Sequence, residues 1–467
     1  MKKDVNENLT SDCSTNDWPK ISENLSEIAV DSSDIEYKNV RSNYMRVGSP
    51  KIILMAKTVS DVREAVLYAK NVRETSKTYV PFSIRSGGHG MTTDSVNDGG
   101  IILDVSQMNE IRMVDDKKGL VSVQAGAVWG DVSAFLSKYD RVISSGDFGD
   151  TGVGGLATAG GLGLLVRQNG LTIDHIKEAT VVTADGRVHL ANNQKNKELF
   201  WAIRGGISNV GIVTEFIFEA PKLLGENTET QQMPLPVYLQ TVRYESNKLG
   251  EFVKNWGDWI RKLPNELTSI AIISKNYEKN DFYVDVMNLW AGDNEKKADP
   301  IFKNALNLAT VIQSETNLLC YTSLIPTPHE KHQAQESNRP LNVLVDQPTE
   351  TLGDAITKVF DDKKVVAVEL RSLGGAVSTV PVMETSWSGR KKEAFVAVWF
   401  DTKNVQIAHK IFEPIRKLGT GAYGAYSFDT SQDFANLTWP EETGQALKKI
   451  KKKYDPTELF DQGLTII

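Results

Sequence analysis

Three glycine clusters, set far apart, constrain this chain more than any other feature. The first reads Arg85-Ser-Gly-Gly-His-Gly90. The second runs Gly152-Val-Gly-Gly-Leu-Ala157 and on through Gly160-Gly-Leu-Gly163, and the third is Arg204-Gly-Gly-Ile-Ser-Asn-Val-Gly211. Glycine opens backbone conformations closed to other residues and lets the main chain approach a ligand closely. The first cluster follows Tyr79 to Ile84, a run that reads as a strand. Its N–H groups suit an anion such as a pyrophosphate. His89 adds a nucleophilic ring nitrogen to that loop, although a turn with a solvated histidine accounts for the same residues. The second cluster matches G-x-G-x-x-A, with Asp174 further on. A Rossmann site needs that motif after a buried strand and at the start of a helix. Here it follows a polar loop, Ser144-Ser-Gly-Asp-Phe-Gly-Asp-Thr151. Three elements fit one long ligand laid across a domain better than a single phosphate loop.

The chain has 467 residues, too many for one ordinary core, and two domains are expected. From Ile52 to about Phe218 strands and helices alternate. Thr58 is placed to cap a helix with Asp61 in its first turn, and Val62, Ala65, Val66, Ala69 and Val72 give it one apolar stripe. Asp185-Gly186 marks a tight hairpin turn between Val181 and Leu190. Beyond residue 220 glycine thins out. Strands at Phe282–Met287 and Ala394–Phe400 and a helix over Gly250–Leu263 point to an α+β domain on an antiparallel sheet. Residues 1–35 read as a loosely ordered polar arm that docks through Trp18 or Ile21.

A net charge of −7 argues against a nucleic acid or an anionic membrane as partner. The basic run Lys448-Lys-Ile-Lys-Lys-Lys453 reads as a solvated helix face. Two cysteines, Cys13 and Cys320, give no zinc pattern and no expected disulfide. His329 and His332 sit three apart without a third ligand, so no metal is expected. No apolar stretch follows the opening lysines and no membrane span is visible, so a cytoplasmic location is expected.

Further motifs join the glycine clusters in a fixed order: Pro81-Phe-Ser-Ile ahead of the first, Val123-Gln-Ala-Gly126 with Trp129-Gly130, Arg167, Gly170-Leu-Thr-Ile-Asp174, Leu199-Phe-Trp-Ala-Ile-Arg204, and Lys453-Tyr-Asp-Pro456. In that order the chain resembles the FAD-linked oxidases of the berberine-bridge-enzyme type, within the vanillyl-alcohol-oxidase superfamily. The likeness is dense from about residue 45 to 220, thin to about 420, and returns at the C-terminus.

The resemblance implies a PCMH-type, two-lobed FAD-binding domain over residues 36–220. A substrate domain at 221–430 would carry an antiparallel sheet flanked by helices, and a segment at 431–467 would return to the first domain. It implies FAD bonded through its 8α carbon to His89, which sits among Arg85, Ser86, Gly87, Gly88, Gly90 and Met91. Further FAD contacts are implied at Gly146, Asp147, Gly152, Val153, Gly154, Gly155, Gly160, Gly161, Gly163, Ile212 and Val213. Many relatives add a second link through a cysteine. Phe148 stands at that place, so a single covalent bond is expected. Thr151 aligns near the position that gates oxygen, and the tail reads Phe460-Asp-Gln-Gly-Leu-Thr-Ile466 where relatives carry Asn-Gln-Ser-Ile.

For the base the resemblance implies a late tyrosine, Tyr426 first and Tyr423 second, with its pKa of about 10 lowered by a cation or by the flavin. Asn288, Trp290, Glu369 and Arg371, with Trp387 and Trp399, fall on expected strands of the second domain and are candidates for the substrate wall. The aromatic ones suit a sugar platform and suit a core equally. The implied reaction passes a hydride from a small hydroxylated substrate to FAD and then to molecular oxygen, giving peroxide. A dehydrogenase with another acceptor, or a flavin-carrying structural protein, are the alternatives.

Overall fold

A computed structural model describes residues 18–223, 233–327, 334 and 338–466. Cys13, His329 and His332 lie outside the described residues. Three sheets organise the chain. The first holds β1 (Ala29–Val30), β2 (Ile52–Met55), β3 (Phe82–Arg85) and β4 (Ile101–Asp104) in the order β1-β2-β4-β3, with β2, β4 and β3 parallel. The second holds β5 (Ile111–Asp115), β6 (Leu120–Gln124), β7 (Ile176–Val182), β8 (Val188–Asn192) and β9 (Ile212–Glu219), antiparallel in the order β5-β6-β9-β7-β8. The third holds β10 (Pro236–Ser246), β11 (Leu267–Asn276), β12 (Asp281–Ala291), β13 (Thr310–Cys320), β14 (Asn338–Val345), β15 (Val365–Ser372) and β16 (Ala394–Asp401). Its order is β13-β10-β12-β11-β15-β16-β14, antiparallel throughout.

Local signals act as the sequence dictates. Helix α1 (Val59–Thr75) opens on a capping box: the Asp61 N–H donates to the Thr58 hydroxyl, and the Thr58 N–H donates back to the Asp61 carboxylate. Its apolar stripe, Val62 to Val72, is buried in a core shared by the first two sheets. The hairpin β7–β8 closes at Asp185-Gly186, with Gly186 at φ +74°, a left-handed conformation glycine adopts without strain.

The third sheet shows the period of two that a half-covered strand must have. On β15, Val368 and Leu370 face helices α2 (Leu249–Ile260), α3 (Glu350–Val359) and α4 (Val405–Arg416), while Glu369 and Arg371 face the other way. On β16, Val396 and Val398 belong to the helix side, and Phe395 and Trp399 to the opposite side. That opposite face looks across at the glycine loops.

Two expectations need correction here. The arm docks through Trp18 and Ile21, which pack on the core as expected, but residues 18–35 are not loosely ordered: β1 pairs with β2, and the Lys51 ammonium sits 4.2 Å from the centre of the Trp18 ring. Helix α5 (Glu441–Tyr454) is not basic only toward solvent. Lys451 is buried and donates to the carbonyls of Asn209 and Phe460 and to Asp455, because a helix that folds back over the glycine region needs its turned-in cation satisfied. No helix among the described residues is long and apolar enough to cross a membrane.

Candidate active site

The face of β15 and β16 and the glycine loops enclose one cavity of ≈ 1580 Å³, counting its open mouth. Gly87, Gly88, Gly90, Met91, Gly146, Asp147, Gly152, Gly154, Gly155, Ile212 and Val213 line it, with Ser86 and His89. Gly155 faces open space: a side-chain carbon there would meet nothing of the protein within 4 Å. The glycine lining and the imidazole on the wall fit FAD.

The first two glycine loops touch backbone to backbone. A Cβ on Gly87 would stand 2.4 Å from the Gly152 nitrogen, and one on Gly152 would stand 2.2 Å from the Gly87 nitrogen. Ser86 fastens the contact by donating to the Ala125 carbonyl at 2.6 Å. The imidazole of His89 lies where these loops meet. Its Nε2 is 2.9 Å from Asp150 Oδ1, the Tyr44 ring stacks on it at 4.7 Å and 11°, and Phe148 leans on it at 5.6 Å. The Tyr44 N–H donates to the Gly88 carbonyl at 2.7 Å, which holds the stacking ring in place.

Several expected FAD contacts prove to be supports. Arg85 lies behind the loop, paired with buried Asp104 at 2.6 Å, and its guanidinium fills the space beside Gly88. Val153 is core. The N–H groups of Val153 and Gly154 are spent on the carbonyls of Ala127 and Ala125. Gly160, Gly161 and Gly163 do not line the cavity, because each admits another segment. Gly160 adjoins Trp387 and Tyr423, Gly161 would clash with Thr172, and Gly163 would clash with the Ser145 carbonyl.

On the sheet side, Arg371 bridges two carboxylates. It donates to Asp147 Oδ2 at 2.6 Å, to Glu369 Oε1 at 2.7 and 3.0 Å, and to the Leu162 carbonyl at 3.0 Å. Burial alone would lower its pKa, but the charges of Asp147 and Glu369 more than offset this and raise it. Glu369 Oε2 accepts from the Tyr426 hydroxyl at 3.2 Å. Phe395 and Trp399 meet the Tyr426 ring edge-on at 5.3 and 5.5 Å. Asn342 donates to the carbonyls of Tyr423 and Tyr426 and accepts from the Tyr423 N–H, fixing that turn. The Tyr423 hydroxyl accepts from the Gly161 N–H at 3.1 Å.

The residues around the two tyrosines raise both pKa values. Burial first, then the Glu369 and Asp147 charges, push Tyr426 well above 10, against the opposing pull of Arg371. Burial pushes Tyr423 up to about 12. Asn288 and Trp290 are not in the cavity. The register Ser269↔Asn288 places them on the helix side, where Asn288 donates to Gln240 and Trp290 packs in the core. Trp387 lies on a loop rather than a strand. Sequence reading missed Asp150, Tyr44, Ile207 and Ser208, of which Tyr44, Ile207 and Ser208 line the cavity. Only Asp150 carried a signal, since it stands two residues from Gly152.

A family model described as an FAD binding domain matches residues 50–192. A carbohydrate oxidase of Microdochium nivale is 34% identical over 475 aligned residues, covering 91% of this chain and 89% of that protein. The solved chitooligosaccharide oxidase superposes with a TM-score of 0.79 at 21% identity over 95% of this chain and 98% of its own. The glucooligosaccharide oxidase of Acremonium strictum superposes at 0.77 and 21% identity over 94% and 97%, and that protein carries a 6-S-cysteinyl, 8α-N1-histidyl FAD.

Proposed function

The chain belongs to the FAD-linked oxidoreductases of the berberine-bridge-enzyme type, and on that premise we propose an oxidase for a small hydroxylated substrate, a sugar or a secondary-metabolite alcohol. Its FAD is bonded once, to His89, and molecular oxygen is the final acceptor. The observation that carries this reading is Tyr426, which lines the same cavity as His89 and is backed by Glu369. The names of the relatives, oxidases of carbohydrates and of chitooligosaccharides, support the substrate class.

Bound FAD supplies the two-electron acceptor for the substrate C–H bond and passes the electrons to oxygen. The chain's own groups bind, orient and move the proton. Tyr426 does not ionise by itself, because its pKa is raised. It takes the substrate hydroxyl proton while giving its own to Glu369 Oε2, so one proton arrives on the carboxylate and the phenol stays neutral. Arg371 holds Glu369 through Oε1 and leaves Oε2 to the phenol. Phe395 and Trp399 fix the plane of the phenol ring. Asp147 and Arg371 join the second glycine region to the third sheet, keeping this proton path at a set distance from His89.

The test is a panel of oligosaccharides and secondary alcohols with oxygen uptake, peroxide and flavin absorbance read together. One peroxide per substrate oxidised is expected. Dye reduction without peroxide would replace the oxidase by a dehydrogenase. A flavin spectrum unmoved by every substrate would leave a flavin carrier instead.

A further inference from the structure

The imidazole of His89 is gripped by residues whose arrangement bears on how the flavin becomes attached. Asp150 Oδ1 lies 2.9 Å from Nε2, and Tyr44 stacks on the ring within 11° of parallel. Asp150 gets there through the contact of the two glycine loops, since a Cβ on Gly87 would stand 2.9 Å from the Asp150 carbonyl. Asp150 side-chain exposure is 19% and that of His89 is 13%, so solvent screens this pair only in part.

We infer that Asp150 drives a self-catalysed modification, the bonding of His89 to the flavin, with Tyr44 as the residue that holds the ring in line. The inference rests on the single covalent attachment proposed above and adds the group that promotes it. An ionised carboxylate only accepts hydrogen bonds, so Asp150 selects the imidazole tautomer with hydrogen on Nε2 and the lone pair on Nδ1. A carboxylate that accepts from the far ring nitrogen orients metal-bound histidines in the same way.

A C8α–H bond of the bound flavin breaks and its proton leaves to water. Nδ1 forms the new N–C8α bond, and the displaced electron pair reduces the flavin ring by two electrons. The imidazole is now a cation until its Nε2 proton leaves. Molecular oxygen takes the two electrons and two protons as hydrogen peroxide, leaving an oxidised histidyl flavin. Asp150 therefore acts twice: it sets which nitrogen attacks, and its charge stabilises the imidazolium that develops 2.9 Å away.

The experiment uses full-length protein, as purified and after incubation with FAD. Covalent flavin is what stays with the polypeptide after acid precipitation, read as colour and as added mass. Bound flavin before denaturation is read in parallel. Asp150→Ala is expected to bind FAD yet form the bond about 10–100-fold more slowly. Asp150→Asn, which keeps an acceptor oxygen without the charge, should fall between it and wild type. Bond formation at the wild-type rate in both variants overturns the role of Asp150. If Asp150→Ala takes up no FAD, Asp150→Asn alone decides, on the same criterion. A wild-type protein that releases all its flavin on denaturation overturns the attachment itself, as does a His89→Ala variant that stays covalently labelled, and either result is distinct from a slow Asp150 variant.

Discussion

Arg390 grips both carboxylate oxygens of Asp174, at 2.7 and 2.8 Å, across 216 positions of sequence. The guanidinium is fully buried and the carboxylate nearly so, at 0% and 13% exposure. Asp174 also receives the Leu171 N–H, and Arg390 also donates to the Thr385 hydroxyl. The pair thus staples the turn behind the second glycine cluster to the loop that leads into β16. An acid that motif matching would assign to a ribose is occupied as one half of a structural clamp.

Removing either half strands the other's charge in the interior. Arg390→Ala and Asp174→Ala are each expected to cost about 3–5 kcal/mol. The double variant should cost less than the sum of the two. Urea or thermal unfolding measures this, and single losses under about 1 kcal/mol would contradict the staple.

Tyr426→Phe removes the proton path and leaves the flavin contacts alone. Turnover should fall about 10²–10⁴-fold with bound flavin unchanged. The same phenol gives a signed pH effect. An unfolded tyrosine ionises near 10, whereas folded Tyr426 lies well above that and Tyr423 lies at about 12. Above pH 10 the unfolded chain therefore loses protons that the folded chain keeps. The stability these groups contribute is present in full below 10 and is lost as pH rises through the folded values. Unfolding at about pH 9 and about pH 11 should show the drop, and Tyr426→Phe should flatten it by up to about 1.4 kcal/mol per pH unit.

Gly152→Ala tests the contact between the loops. Its φ of −67° is ordinary, so the cost is steric alone: the new methyl would stand 2.2 Å from the Gly87 nitrogen and 2.3 Å from the Ser86 hydroxyl. The protein should keep its far-UV circular dichroism and lose most of its flavin. Gly155→Ala meets no protein atom within 4 Å, so any flavin it loses reports the methyl meeting the ligand itself. A Gly152→Ala protein with full flavin content would show that the loops part without consequence.

Much of this protein is written in short stretches of its sequence. The capping box of Thr58 and Asp61, the stripe from Val62 to Val72 and the Asp185-Gly186 turn follow from neighbours a few residues apart, where backbone geometry leaves few choices. The glycine clusters and His89 announce a long ligand for the same reason. Strand parity was legible on β12, but which face the helices cover was not, and so Asn288 and Trp290 turn to the core while Arg371 turns to the cavity and Glu369 to Tyr426 behind it. Which glycines touch ligand and which admit another segment, whether a lysine of α5 is buried, and where Asp150 and Tyr44 meet His89 were decided only by the tertiary structure. The physical reason is separation: Asp147 and Arg371 meet across 224 positions, and nothing local in either segment encodes its partner.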